Sequence, residues 1–102
     1  MAQTNYIIKD NVWQLQHTAG LNVAKAHEII AKAGNIPNAN QAQLTNAREL
    51  LRQAQWYWDY VAASNSMGFH NSVQELHTLG QSIDLSHRAI DAAKQAVGAN
   101  QL

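Results

Sequence analysis

Residues 41–63 read QAQLTNARELLRQAQWYWDYVAA, and the fold follows from their spacing. Leu44, Ala47, Leu51, Ala54, Trp58 and Val61 alternate steps of three and four without a fault. At 3.6 residues per turn such a row makes one continuous apolar face, the seam of a helix packed on other helices. Leu50 and Tyr57 widen the row. The spacing predicts a helix over about residues 41–63.

Upstream, Gly34-Asn35-Ile36-Pro37-Asn38-Ala39-Asn40 carries the sole proline and is the clearest break in the chain. Gly34 is expected in the left-handed position that follows a helix, with Pro37 blocking continuation. Before the break, Ile8, Val12, Leu15, Ala19, Val23, Ala26, Ile30 and Ala33 recur at helical spacing, predicting a long helix over about residues 6–33. Gly20 sits inside it at a cost of about 1 kcal/mol against alanine. A close helix–helix approach is the expected compensation.

Downstream, Ser64-Asn65-Ser66-Met67-Gly68-Phe69-His70-Asn71 interrupts the period as a turn, into which Met67 and Phe69 are expected to tuck. Ser72-Val73-Gln74-Glu75 matches a capping box, and Asn71 is an alternative cap. A third helix is predicted over about residues 72–97, with Val73, Leu76, Leu79, Ile83, Ile90, Ala93 and Val97 inward and Gly98 as the stop. The expected fold is all-α: a three-helix up-down-up antiparallel bundle in which residues 1–102 form a single helical domain. Its helices are long for so short a chain. A second copy or a larger partner is expected to cover what intrachain packing leaves open.

Composition narrows the function. Seven basic and seven acidic residues give zero net charge, which argues against electrostatic capture of nucleic acid or an anionic membrane. No apolar run approaches the ~20 residues of a membrane span. There is no cysteine, hence no disulfide, thiolate metal site, iron–sulfur cluster or CxxCH haem attachment in this chain. Met1-Ala2-Gln3-Thr4-Asn5-Tyr6 lacks the basic start and apolar block of a signal peptide. The chain is therefore expected to be cytoplasmic, or a mature or excised piece of an exported protein. Charged residues are only 14%, against abundant Asn and Gln, the reverse of hyperthermophile usage, so a mesophilic source is expected. With no cysteine nucleophile, glycine-rich phosphate loop or paired-carboxylate motif, the chain is not expected to act as an enzyme alone. Glu28–Lys32, Asp84–Arg88 and Asp91–Lys94 read as solvated helix pairs.

The histidines are the remaining candidates. His27-Glu28 opens an HExxH pattern, but Ala31 stands in the fifth position, so no zinc-peptidase reading survives. His87 lies between Ile83 and Ile90 with Asp84 and Asp91 in reach, as a partly buried structural histidine or a metal ligand. His77 and His17 read as surface residues. His70, at the turn, is either a loop residue capping the next helix or a ligand. Trp56 and Trp58, two apart, point to different faces: Trp58 follows the main stripe, and Trp56 faces a flank, a partner or a cofactor. Asp59 is expected to bond an indole N–H or an amide of the 64–70 turn.

Ala54-Gln55-Trp56-Tyr57-Trp58-Asp59, followed by Met67-Gly68-Phe69-His70-Asn71, resembles the C-terminal helical region of ammonia-forming, pentahaem cytochrome c nitrite reductases, where a segment of the type AQWxWDxxxAxxxMGFH leads into a long helix. The resemblance is strongest from about Leu51 to Val97. Ser72 departs from it where proline is common, and Tyr57 where a basic residue is common. It implies that His70 is the distal axial ligand of a bis-histidine haem, with Trp56, Trp58, Met67 and Phe69 walling the porphyrin. It also implies an electron-transfer role, dimerisation through the long helices and a periplasmic location. Without cysteine, the haem would be supplied and held covalently by a partner chain. The expected partners are a multihaem cytochrome polypeptide, a second copy, or both. Two other readings stand beside it: a small bundle holding haem non-covalently through His70 with His77 or His87, and a ligand-free structural oligomerisation module.

Overall fold

The computed structural model describes residues 2–68, 71–98 and 102, with side chains from residue 11 onward. Three helices account for nearly all of it: α1 (Ala2–Gly34), α2 (Gln41–Ser66) and α3 (Ser72–Val97). They run up, down and up. Trp58 of α2 meets Gln16 of α1, Gln55 meets His27, and His87 of α3 meets Asn22 of α1. The bundle is slender, 57 × 22 × 16 Å.

Backbone chemistry sets the helix ends. Asn40 caps α2: its Oδ1 accepts from the Gln43 N–H at 3.1 Å, and its own N–H donates to the Ala96 carbonyl at 2.8 Å. The α1–α2 loop thereby satisfies one of the carbonyls that the C-terminus of α3 leaves open. The left-handed residue in this loop is Asn38 (φ 68°), not Gly34. Gly34 remains in the last turn of α1, and asparagine tolerates the left-handed region well enough to turn the chain four residues later. At the other end α2 runs three residues past the predicted stop. It ends where Gly68 adopts φ 81° and donates to Asn65 O at 3.1 Å. Of the two candidate caps for α3, Asn71 takes the position, its Oδ1 accepting from Gln74 N–H at 3.2 Å. Gly98 (φ 88°) ends α3 as expected.

From Val12 onward the seams of α1 and α2 follow the spacing, with Leu15 and Trp58 only partly buried; Ile8 lies outside the residues whose side chains are described. Val12, Ala19, Val23, Ala26, Ile30 and Ala33 are buried against Leu44, Ala47, Leu50, Leu51, Ala54 and Val61. Helix α3 differs. Its buried row is Glu75, Leu79, Ser82, Ser86, Ala89, Ala93 and Ala96, again in alternating steps of four and three. The larger Leu76, Ile83, Ile90 and Val97 are partly buried on its flank. Val73, expected inward, is 78% exposed, because it lies two residues, some 200°, from the row through Glu75. Small residues let α3 approach both neighbours. Ser82 completes its bonding by donating to the Ala54 carbonyl of α2 at 2.8 Å, and Ser86 by donating to Ser82 O at 2.9 Å.

The apolar core is uneven along the bundle. A large cluster from Val23 to Ala33, Leu44 to Ala54 and Leu85 to Ala96 fills the end near the α1–α2 loop. A small one, Val12, Ala19, Val61 and Leu79, lies toward the α2–α3 elbow, and Trp58 packs against both.

Candidate functional site at the α2–α3 elbow

His70 and Phe69 lie outside the described residues; the site is built from what flanks them. On the α2 side, Met67 is 65% exposed rather than tucked inward. Extension of α2 through Ser66 carries Met67 to the outer face, along the helical row of Trp56 and Tyr60. Trp56 is 60% exposed, stacked on Tyr60 (centroids 5.7 Å apart, planes at 21°) and edge-on to Tyr57 at 5.3 Å. On the α3 side stands exposed Val73. The end of α2, the start of α3 and this outer aromatic row thus present apolar side chains that the bundle leaves uncovered.

Trp58 is used differently. Its indole N–H donates to the Gln16 carbonyl at 2.8 Å, and its ring lies against Gly20, where an added Cβ would stand 3.1 Å from Nε1. The close approach expected at Gly20 is made by this indole. The two tryptophans therefore occupy different faces, as their spacing requires.

Beneath the elbow three polar side chains, one from each helix, meet. The amides of Gln16 and Asn65 are 3.0 Å apart, and Asn65 lies 2.8 and 3.2 Å from the two carboxylate oxygens of Glu75. Carboxylate oxygens only accept, so Asn65 turns its NH2 to Glu75 and its oxygen to Gln16, whose amide turns with it to donate its own NH2. Glu75 is buried and sits in the first turn of α3, where the helix dipole favours negative charge. This clasp was not legible in the sequence. Glu75 read only as a capping-box partner, and nothing in the spacing brings residues 16, 65 and 75 together.

The other sequence candidates disperse. His87 is exposed, not partly buried, and its Nε2 donates to Asn22 Oδ1 at 2.9 Å rather than to Asp84 or Asp91. The row through Ser86 and Ala89 rotates it outward, and Asp84 faces Arg88 at 4.0 Å. Asp59 accepts from Gln55 Nε2 at 3.2 Å instead of from an indole or a turn amide, and Gln55 Oε1 accepts from His27 Nε2 at 3.0 Å. His17 stacks on Trp13 (5.8 Å, 4°), and His77 lines an open groove with Tyr57 and Gly80. Arg52 donates to both oxygens of Glu49 at 2.7 and 3.0 Å. That bonding holds the Glu49 carboxyl below its ordinary value and the guanidinium above its own. Among the described residues no three His, Cys, Asp or Glu side chains converge as a metal site.

A haem iron, unlike a zinc ion, needs only one or two protein ligands and a largely apolar surround. Exposed apolar side chains on both flanks of the elbow are of the chemistry such a surround requires. The exposed positions of His77 and His87 set both apart from the apolar core.

Comparison with known proteins bears on what meets this surface. The family described as Cytochrome c552 matches residues 1–101. The chain is 45% identical over 76 residues to the cytochrome c nitrite reductase subunit NrfA of Nitratidesulfovibrio vulgaris, covering 71% of this chain and 14% of that protein. It is 34% identical over 89 residues to cytochrome c-552 of Bacteroides fragilis, 80% of this chain and 18% of that protein. With cytochrome c-552 of Bacteroides thetaiotaomicron the identity is 35% over 96 residues, 87% of this chain and 18% of the relative. The chain thus spans between 14% and 18% of the length of these relatives. No solved structure matches it.

Proposed function

The chain belongs to the cytochrome c552 family, and on that premise we propose that it is the haem-less helical part of a nitrite-reductase-related multihaem cytochrome, offering His70 as the distal axial ligand to a haem held by a partner polypeptide. The observation that supports the reading is exposed apolar bulk: Met67 and Val73 are exposed three residues either side of His70 in the chain, and Trp56 and Tyr60 are exposed farther back along α2. Absence of cysteine puts any thioether attachment outside these 102 residues.

The haem, when bound, supplies one-electron redox chemistry. The chain's own residues do three things in this reading. His70 would hold the iron through an imidazole nitrogen. Trp56, Met67 and Phe69 would keep water from the bound group, lowering the local dielectric. Trp58, also expected in the porphyrin wall, acts one layer back by bracing α2 on α1 through Gln16 and Gly20. The role is assembly and electron-transfer ligation, with a second copy of the chain as a further partner along the long outer faces, in the periplasm where such cytochromes work.

The test is an absorption and electron paramagnetic resonance spectrum of the natively purified assembly. A low-spin bis-histidine signal that co-migrates with this chain and is lost on His70→Ala is the expected result. An assembly without haem, or a signal indifferent to His70→Ala, removes the proposal. A soluble oligomer whose melting and spectrum ignore added haem would instead favour the purely structural reading.

A further inference from the structure

The Gln16–Asn65–Glu75 clasp has no part in the function proposed above, yet it is costly to build. Glu75 occupies a position of the buried α3 row that an apolar residue would fill, and burying a carboxylate is unfavourable unless it is bonded. What a bonded carboxylate adds over an apolar side chain is direction. Apolar packing is roughly proportional to area and indifferent to angle, whereas bonds to a carboxylate fix distance and orientation. Direction is in short supply here, because the apolar cluster at this end is the small one.

The placement of the clasp is specific. Asn65 lies in the last turn of α2, and its carbonyl accepts from the N–H of Gly68, the residue that ends the helix. Glu75 lies in the first turn of α3, and its N–H donates to the carbonyl of the cap Asn71 at 2.9 Å. The Asn65–Glu75 contact therefore ties together both described flanks of positions 69 and 70, and Gln16 ties that knot to α1.

We propose that Asn65 and Glu75 are positioning residues: the clasp fixes the gap between the end of α2 and the start of α3, and so the place from which His70 reaches the iron. This inference rests on the assignment of His70 as axial ligand. Neither Asn65 nor Glu75 touches the haem in this scheme.

The experiment uses the haem-loaded assembly that contains this chain. Asn65→Ala, Glu75→Ala and Glu75→Gln are compared with wild type for low-spin ferric signal and reduction potential. His70→Ala and Leu44→Ala serve as controls. Loss of a partner that orients a metal ligand weakens ligation about tenfold or more, so the two alanine variants should show a high-spin fraction and a shifted potential. Glu75→Gln keeps an amide oxygen facing Asn65 and should retain most of the low-spin signal. Leu44→Ala weakens the bundle at its opposite end and should leave the signal intact. A wild-type signal and potential in Asn65→Ala and Glu75→Ala overturns the inference while leaving the ligand assignment standing. So does an equal change in Leu44→Ala, which would mean that only general stability matters. Indifference to His70→Ala overturns both. Should Glu75→Ala fail to assemble, Asn65→Ala and Glu75→Gln decide the matter alone.

Discussion

Two glycines inside helices carry opposite consequences. A Cβ at Gly20 would stand 3.1 Å from Nε1 and 3.4 Å from two ring carbons of Trp58. That indole is anchored by its bond to Gln16 O, so it cannot yield without losing the bond. Alanine at position 20 gains about 1 kcal/mol of helix propensity but forces an overpacked site, which typically costs about 1–3 kcal/mol. Gly20→Ala should therefore lower the melting temperature. At Gly80, with nothing within 4 Å of an added Cβ, only the propensity gain remains. Gly80→Ala should stabilise by about 1 kcal/mol in a denaturant titration. Equal shifts in both variants would show that Trp58 does not brace the bundle. The sequence disclosed that Gly20 needed a close neighbour, because a mid-helix glycine is a local cost. It did not disclose the neighbour, because Trp58 lies 38 residues away and its stripe position leaves its lean toward α1 undetermined.

At the scale of elements, α3 separates what hydrophobic spacing reveals from what packing decides. Branched residues at Ile83, Ile90 and Val97 drew the expected stripe, of which Leu79 and Ala93 are buried, yet the helix also buries Ser82, Ser86, Ala89 and Ala96. The reason is steric. A helix wedged between two others gains more from small side chains on its inner row and larger ones on the flank, and serine hides its polarity by bonding a carbonyl. Ala89→Leu, at a site with no exposed surface, should destabilise by about 1–3 kcal/mol through overpacking, whereas Val73→Ser should stay within about 0.5 kcal/mol of wild type. The reverse order would restore the stripe read from the sequence. The ends of α3, at Asn71 and Gly98, were disclosed, whereas the Asn40 cap of α2 was not singled out; Asn40→Ala should cost about 1 kcal/mol. A matched Asn71→Ala should cost about the same, because the bond from Asn40 N–H to Ala96 O is made by the backbone and survives in alanine.

The whole molecule has two unlike ends, and hydrogen exchange should distinguish them. Near the α1–α2 loop the large apolar cluster combines with the Asn40–Ala96 bond. Toward the elbow the small cluster relies on the Trp58–Gln16 bond and the polar clasp, beneath an outer row of exposed aromatic residues. Three rods and their order were legible because each rod needs a stripe. This asymmetry was not, because stripes are continuous along both ends while buried area is set by how the rods splay. Local opening follows the density of buried apolar contacts. In the isolated chain, amides of Val12–Ala19 and Val61–Asn65 should therefore exchange faster than those of Val23–Ala33, Leu44–Ala54 and Leu85–Ala96. In an assembly that covers Trp56, Tyr60 and Met67, the elbow end should gain protection and the loop end should not. Hydrogen–deuterium exchange read by mass spectrometry resolves segments of this length. Uniform protection in the isolated chain would mean that the clasp alone holds the elbow as firmly as the core holds the other end. Protection gained at the loop end on assembly would move the partner surface away from the elbow.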